Sequence, residues 1–299
     1  MLKNKTKFFT QKAMMNLISK NFLKTLSGLG FCFIASLLSS TNKVSANTCP
    51  SNPSSSYFNS NPSCYITPDA YKITVYEMGL CTSDPLATTT VAENGDVTTD
   101  YAINESSCSA TFINENGVTI DLAGGASQNL TGGTSFRPPT GNYPHAYIKI
   151  KNTFGLKGTY QINSNTFYTS SDGSPVAEAL HSEFDEDLMD FSNGKTCSGS
   201  PELAGAEVFT TGVTGTMKAV LAQVSGGNLG TYTADSSCGS STHLFGSFQP
   251  TTPVVVSNQT KGMEVNFSIT GRGMTIFPDG SGGMSGFGGG PFSPSFSTF

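Results

Sequence analysis

Apolar residues in this chain recur at every second position, and no other feature limits its fold as strongly. Met263, Val265, Phe267 and Ile269 alternate with Glu264, Asn266 and Ser268. Tyr71, Ile73 and Val75 alternate with Lys72, Thr74 and Tyr76, and Ala146, Ile148 and Ile150 with Tyr147, Lys149 and Lys151. A period of two sends apolar groups to one face of a strand, whereas a helix needs steps of three and four. Residues 110–113 and 118–122 flank Asn114-Glu115-Asn116-Gly117, an Asn-Gly hairpin signal, and residues 158–162 and 166–169 flank a second Asn-rich turn. Shorter strand candidates lie at 206–210, 216–224, 229–233 and 253–257. Many short strands between turn residues predict an all-β chain, folded as an antiparallel β-sandwich.

One stretch departs from this period. After Ser174-Pro175, apolar residues fall at Ala177, Leu180, Phe184, Leu188 and Phe191, which predicts a single inserted acidic helix over about 175–192. Asn193-Gly194 would end it. From Asp279 onward Gly, Ser, Pro and Phe follow no period, so 278–299 reads as a flexible tail. Residues 47–64, rich in Ser, Asn and Pro, read as an extended arm. The region 65–277 between them reads as one sandwich, or as two sub-domains divided near 170–195.

The first 46 residues read as a secretory signal peptide. Six lysines and no acid precede residue 25; an apolar run at 26–38 follows, and Val44-Ser45-Ala46 offers a small-x-small cleavage site. The apolar run is shorter than the ~20 residues that span a bilayer. Met14-Met15 supplies an alternative start of ordinary signal length. Phe31 before Cys32 does not fit a lipoprotein signal, and no arginine of a transit peptide occurs before Arg137. The expected destination is the cell envelope or the medium.

Cleavage after Ala46 changes two counts. Seven of the 16 basic residues and none of the 21 acidic ones lie in the signal, so the net charge moves from −5 to −12. A chain this acidic is not expected to bind nucleic acid, which requires basic patches. Cys32 leaves with the signal, and Cys49, Cys64, Cys81, Cys108, Cys197 and Cys238 remain. An even number in an oxidising compartment predicts disulfides, and none of these cysteines has the C-x-x-C spacing of zinc or redox sites. Sequential pairing (49 with 64, 81 with 108, 197 with 238) closes local loops, each worth roughly 3–4 kcal/mol.

Val118 to Leu122, then Asn129-Leu130, then Arg137-Pro-Pro-Thr-Gly-Asn-Tyr143 and Ala146 to Ile150 form a longer pattern. Over about 65–152 it resembles exported bacterial prealbumin-like β-sandwich domains of uncharacterised function, in which a strand and loop lead through P-x-G-x-Y to another strand. The resemblance implies a fold and a cell-envelope setting. It implies a turn shaped by Pro139 and Gly141 and a strand anchored by Tyr143. It brings no activity and no site residues.

Motifs for chemistry fail on spacing. Asp279-Gly-Ser-Gly-Gly283 lacks a histidine partner motif, and Ser285 is followed by Phe287 where G-x-S-x-G needs Gly. Gly194-Lys195-Thr196 has Met189 where a P-loop has its first Gly. No catalytic residue and no cofactor are therefore expected. Glu183, Asp185, Glu186, Asp187 and Asp190 cluster beside His181; Asp185, Asp187 and Asp190 are the Ca²⁺ candidates, although a solvated acidic helix face explains them more simply. His145 between Tyr143 and Tyr147 is a candidate ligand reader. Asn104, Asn129, Asn258 and Asn266 lie in N-x-S/T sequons. The expected function is a structural or adhesive, non-enzymatic role, with self-association through the Phe-rich tail. A glycan- or peptide-binding module using surface tyrosines, and a secreted enzyme of unrecognised type, are the alternatives.

Overall fold

The computed structural model describes residues 48–93, 96–125, 130–188, 203–209, 215–225, 228–231 and 241–299. They form antiparallel sheets with almost no helix. Among the described residues no helix is long and apolar enough to cross a membrane.

Ala70–Cys81 is the central strand of a ten-stranded sheet. It pairs with Cys108–Asp121 on one side and with His145–Lys151 and Thr153–Lys157 on the other. The sheet continues through His243–Pro250 to Gly215–Ser225, whose far side carries Leu203–Phe209 and Asn228–Thr231. Its inner face packs Ile73, Val75, Leu80, Ile148, Ile150 and Leu244 against Ile66, Val256, Met274, Ile276, Phe287 and Phe292. These partners belong mostly to smaller antiparallel sheets: Cys64–Ile66 with Met274–Pro278 and Met284–Gly289, and Gly141–Tyr143 with Val254–Val256. This core draws on both sides of 170–195. A second cluster on the outer face holds Cys81, Leu86, Tyr147, Val220, Ala222 and Phe245.

The alternation expected at 70–76, 145–151 and 263–269 appears as strands Ala70–Cys81, His145–Lys151 and Met263–Ser268. The turn between Thr159–Ile162 and Asn165–Thr169 is a two-residue hairpin turn: Asn163 and Ser164 stand at φ 49° and 64°, as its tight geometry requires.

Three expectations are corrected. Asn114-Glu115-Asn116-Gly117 does not turn a hairpin. Val118 pairs with Val75 and Ile113 with Glu77, so both flanks lie on the same partner strand and the four residues bulge opposite Tyr76. The Asn114 carboxamide accepts the Asn116 N–H at 3.0 Å, and Gly117 takes φ +74°. Tyr76 is also extra relative to the His145–Lys151 pairing, which moves the inward positions from 73 and 75 to 78 and 80.

The helix expected over 175–192 is absent from the described residues 175–188. Pro175–Val176 and Phe184–Asp187 are strands, separated by a three-residue 3₁₀ turn, Glu178–Leu180. Phe184–Asp187 pairs with Thr153–Lys157 and buries Phe184, so strand pairing supplies the apolar contact a helix would have made. Residues 278–299 are not a free tail either. Met284–Gly289 and Ser293–Thr298 pair with Met274–Pro278 and Met263–Ser268, and Phe287 and Phe292 are buried. Glycine makes this possible: a Cβ on Gly290 would collide with the Arg272 carbonyl oxygen.

Candidate functional site

A group of titratable and aromatic side chains lies on the outer face, beside the second cluster. Gly79 faces Tyr147 across two strands, and a Cβ at Gly79 would run into the Tyr147 ring. The missing side chain lets that ring lie over the strand, so the Tyr147 hydroxyl reaches Glu77 Oε1 at 2.5 Å. Phe245 stacks on Tyr147 at 5.7 Å with an interplanar angle of 10°. Lys149 Nζ binds Glu77 Oε2 at 2.9 Å and Glu105 Oε1 at 2.7 Å. The Lys149 side chain is only 13% exposed, against 21% for Glu77 and 31% for Glu105. Next to it Tyr76 packs on His243 at 4.6 Å, and Thr242 Oγ1 lies 2.7 Å from His243 Nδ1.

Burial, and then the hydrogen bond to Glu77, pushes the Tyr147 phenol well above its usual range and keeps it a donor. Burial, followed by the nearby Lys149 charge, lowers the pKa of the His243 ring. Every charge in the group is thus turned toward another. Glu105 belongs to the connection that returns from the hairpin Leu86–Glu93 and Asp96–Ile103, while Glu77 and Lys149 lie on the sheet. The ion pairs therefore fasten that connection to the sheet. The Cys81–Cys108 disulfide closes the base of the same excursion, and Asp84 Oδ1 adds bonds from Leu86 N–H and Ser247 Oγ.

The residues singled out in the sequence do not gather into one site. Asp185 and Asp187 point outward from Phe184–Asp187, and Asp187 accepts from Thr153 Oγ1 at 2.6 Å. Asp190 lies outside the described residues, as do Asn129, the 194–196 segment, Cys197 and Cys238. Glu183 pairs with Lys72 at 2.6 Å. Among the described residues no three His, Cys, Asp or Glu stand close enough to hold a metal. Tyr143 and Tyr147, beside His145, are buried, and the Tyr143 hydroxyl donates to Pro139 O at 2.8 Å. His181 Nε2 is 3.8 Å from Asp69 Oδ2, and its ring lies on Tyr168. Asp279 folds 279–283 into a turn by accepting the N–H groups of Ser281 and Gly283 at 2.7 and 2.9 Å, which hold its carboxyl below the usual range. The remaining expected disulfides, Cys49–Cys64 and Cys81–Cys108, are formed.

Two features have no signal in the local sequence. The Glu77–Lys149–Glu105 group becomes visible only when strand register is known. Glu186 belongs to the acidic run expected to face solvent, yet it shares the inward side of its strand with Phe184. Its carboxylate accepts the Gly289 N–H and so caps the edge of Met284–Gly289. Burial raises its pKa above that of an ordinary glutamate. A carboxyl raised in the folded state stabilises the fold at low pH, and the contribution is lost as pH rises through the folded pKa. Glu186→Gln keeps the acceptor and removes the titration. It should be more stable than wild type at pH ~7, with the gap closing toward pH ~4. Urea unfolding across that range checks this, and a gap that does not change with pH contradicts it.

Comparison with known proteins finds no matching family model, no matching curated protein and no matching solved structure.

Proposed function

We propose that this chain is exported, loses its first 46 residues and acts in the cell envelope or medium as a β-sandwich with a structural or adhesive, non-enzymatic role. The observation that carries the reading is the pair of closed disulfides, which fits a non-reducing compartment and agrees with the signal-like N-terminus. A large sheet and smaller sheets sharing one core support the sandwich. The prealbumin-like resemblance over 65–152 is in keeping with it. The Glu77–Lys149–Glu105 group is spent on internal ion pairs, which supports a structural part for it.

The adhesive part of the reading draws on Phe136, Val255 and Phe299, all exposed. Their segments are tied together: Arg137 Nη2 donates to Ser257 O at 2.5 Å, and Lys261 N–H donates to Phe299 O at 2.6 Å. Large apolar groups left exposed on linked segments offer points of contact for a partner. The variant Phe136→Ser/Val255→Thr/Phe299→Ser should unfold at nearly the wild-type temperature but lose most of its retention on cells or on a second copy of the protein. Unchanged retention would overturn the adhesive reading. A hydrolytic activity abolished by one substitution would overturn the non-enzymatic one.

A further inference from the structure

Residues 122–171, 236–263 and 280–299 contain no Asp or Glu, although the chain as a whole is acidic. The fold brings part of each stretch together. Val254–Val256 pairs with Gly141–Tyr143, and Met263–Ser268 pairs with Ser293–Thr298. Two exposed cations, Arg137 and Lys261, stand on these stretches. A chain of bonds links them: the Arg137 guanidinium and the Thr260 N–H both donate to Ser257 O, and the Lys261 N–H donates to Phe299 O. Large apolar side chains flank the cations. Phe136 precedes Arg137, and its backbone is fixed by an N–H bond to Thr111 O at 2.9 Å. Val255 projects outward between the buried Val254 and Val256. The Phe299 ring lies over Gly262, beside Lys261, where a Cβ would collide with it. These three side chains are 48%, 56% and 70% exposed. The first acid met beyond Lys261 is Glu264, opposite Ser297.

We infer that this face docks on an anionic lipid bilayer, with Phe136, Val255 and Phe299 entering the interface and Arg137 and Lys261 meeting headgroup phosphates. The inference rests on the adhesive reading above and names its partner. Apolar groups with cations beside them are what binding at a bilayer surface uses: burial holds the protein down, and charge selects anionic lipid. The anchors sit on hydrogen-bonded segments, so little chain has to be ordered on binding. The acidic remainder of the body is repelled by the same surface, which leaves this face as the one that can approach. A second copy fits less well. Two such faces brought together about a two-fold axis would set Arg137 and Lys261 against cations of their own sign.

The test is flotation of the oxidised protein, purified from its own cells, with vesicles of equal parts phosphatidylglycerol and phosphatidylcholine, or of phosphatidylcholine alone. Wild type should float with the anionic vesicles. Arg137→Gln/Lys261→Gln should bind them about thirtyfold more weakly, as should wild type the neutral ones. Arg137→Lys/Lys261→Arg, which keeps both charges, should bind as wild type does. Phe136→Ser/Val255→Thr/Phe299→Ser should lose binding to both vesicles. Lys151→Gln, at the end of His145–Lys151 away from Tyr143, should change binding by less than about twofold. Equal binding of wild type to the two vesicle types, or full binding by Arg137→Gln/Lys261→Gln, overturns the inference. So does release by soluble glycerol phosphate, because a free phosphate would then be the ligand. If no vesicle is bound while the apolar triple variant still loses its retention on cells, the lipid inference falls and the adhesive reading stands. If vesicles bind as expected but retention on cells is unchanged in that variant, the adhesive reading is the one that falls.

Discussion

Phe245→Ala lowers the unfolding free energy by about 4 kcal/mol, in the upper part of the range for buried aromatic truncations. Phe245 is fully buried on the outer face, among Cys81, Leu86, Tyr147, Val220 and Ala222. Its strand is paired on both sides, with His145–Lys151 and with Gly215–Ser225. The backbone on either side is therefore held, and the cavity cannot collapse. Tyr147 loses its stacking partner as well. Urea denaturation with an unchanged slope measures the loss. Leu180→Ala, at an exposed position, is the control and should change stability by less than about 0.5 kcal/mol. A loss below about 1 kcal/mol at Phe245 would mean that the outer cluster is not packed as a second core.

Lys149→Met is the other large effect, a loss of about 3 kcal/mol. The substitution keeps much of the stem's volume but leaves the Glu77 and Glu105 carboxylates facing each other without the ammonium that both contact. Glu105 is the most exposed of the three, so water screens part of the repulsion and the value sits at the low end for a broken buried pair. The triple variant Lys149→Met/Glu77→Gln/Glu105→Gln should recover most of the loss, because no uncompensated charge remains and Gln at 77 still accepts from Tyr147. Equal loss in the single and triple variants would show that lysine packing, not charge, is what matters. Comparing the two by urea unfolding separates the terms as a thermodynamic cycle does.

The legible part of this fold was local. Alternation at 71–76, 146–151 and 263–269 reports burial on one face, and burial on one face is what each strand does. The Asn163-Ser164 turn was legible because its flanking strands pair with each other. Asn114-Glu115-Asn116-Gly117 has the same turn chemistry but the opposite outcome, because the choice between hairpin and bulge lies in which partner strand receives each flank. The spacing Leu180, Phe184, Leu188 fits a helix equally well on paper. A free neighbour at Thr153–Lys157 makes it a strand, and two-residue alternation then turns Glu186 inward, away from Asp185 and Asp187. The 278–299 segment hid its strands behind glycine, since Gly288 and Gly290 are needed where Phe277 and the Arg272 carbonyl approach closely. The Glu77–Lys149–Glu105 group had no local signature, because its members lie far apart in sequence.

Intact mass of the protein recovered from its own cells, before and after reduction, tests the central claim most directly. The account predicts a chain beginning at Asn47 that gains one hydrogen on each bridged sulfur when reduced, with peptide mapping that joins Cys49 to Cys64 and Cys81 to Cys108. A chain that still carries its first 46 residues, with those four thiols free before reduction, would contradict it.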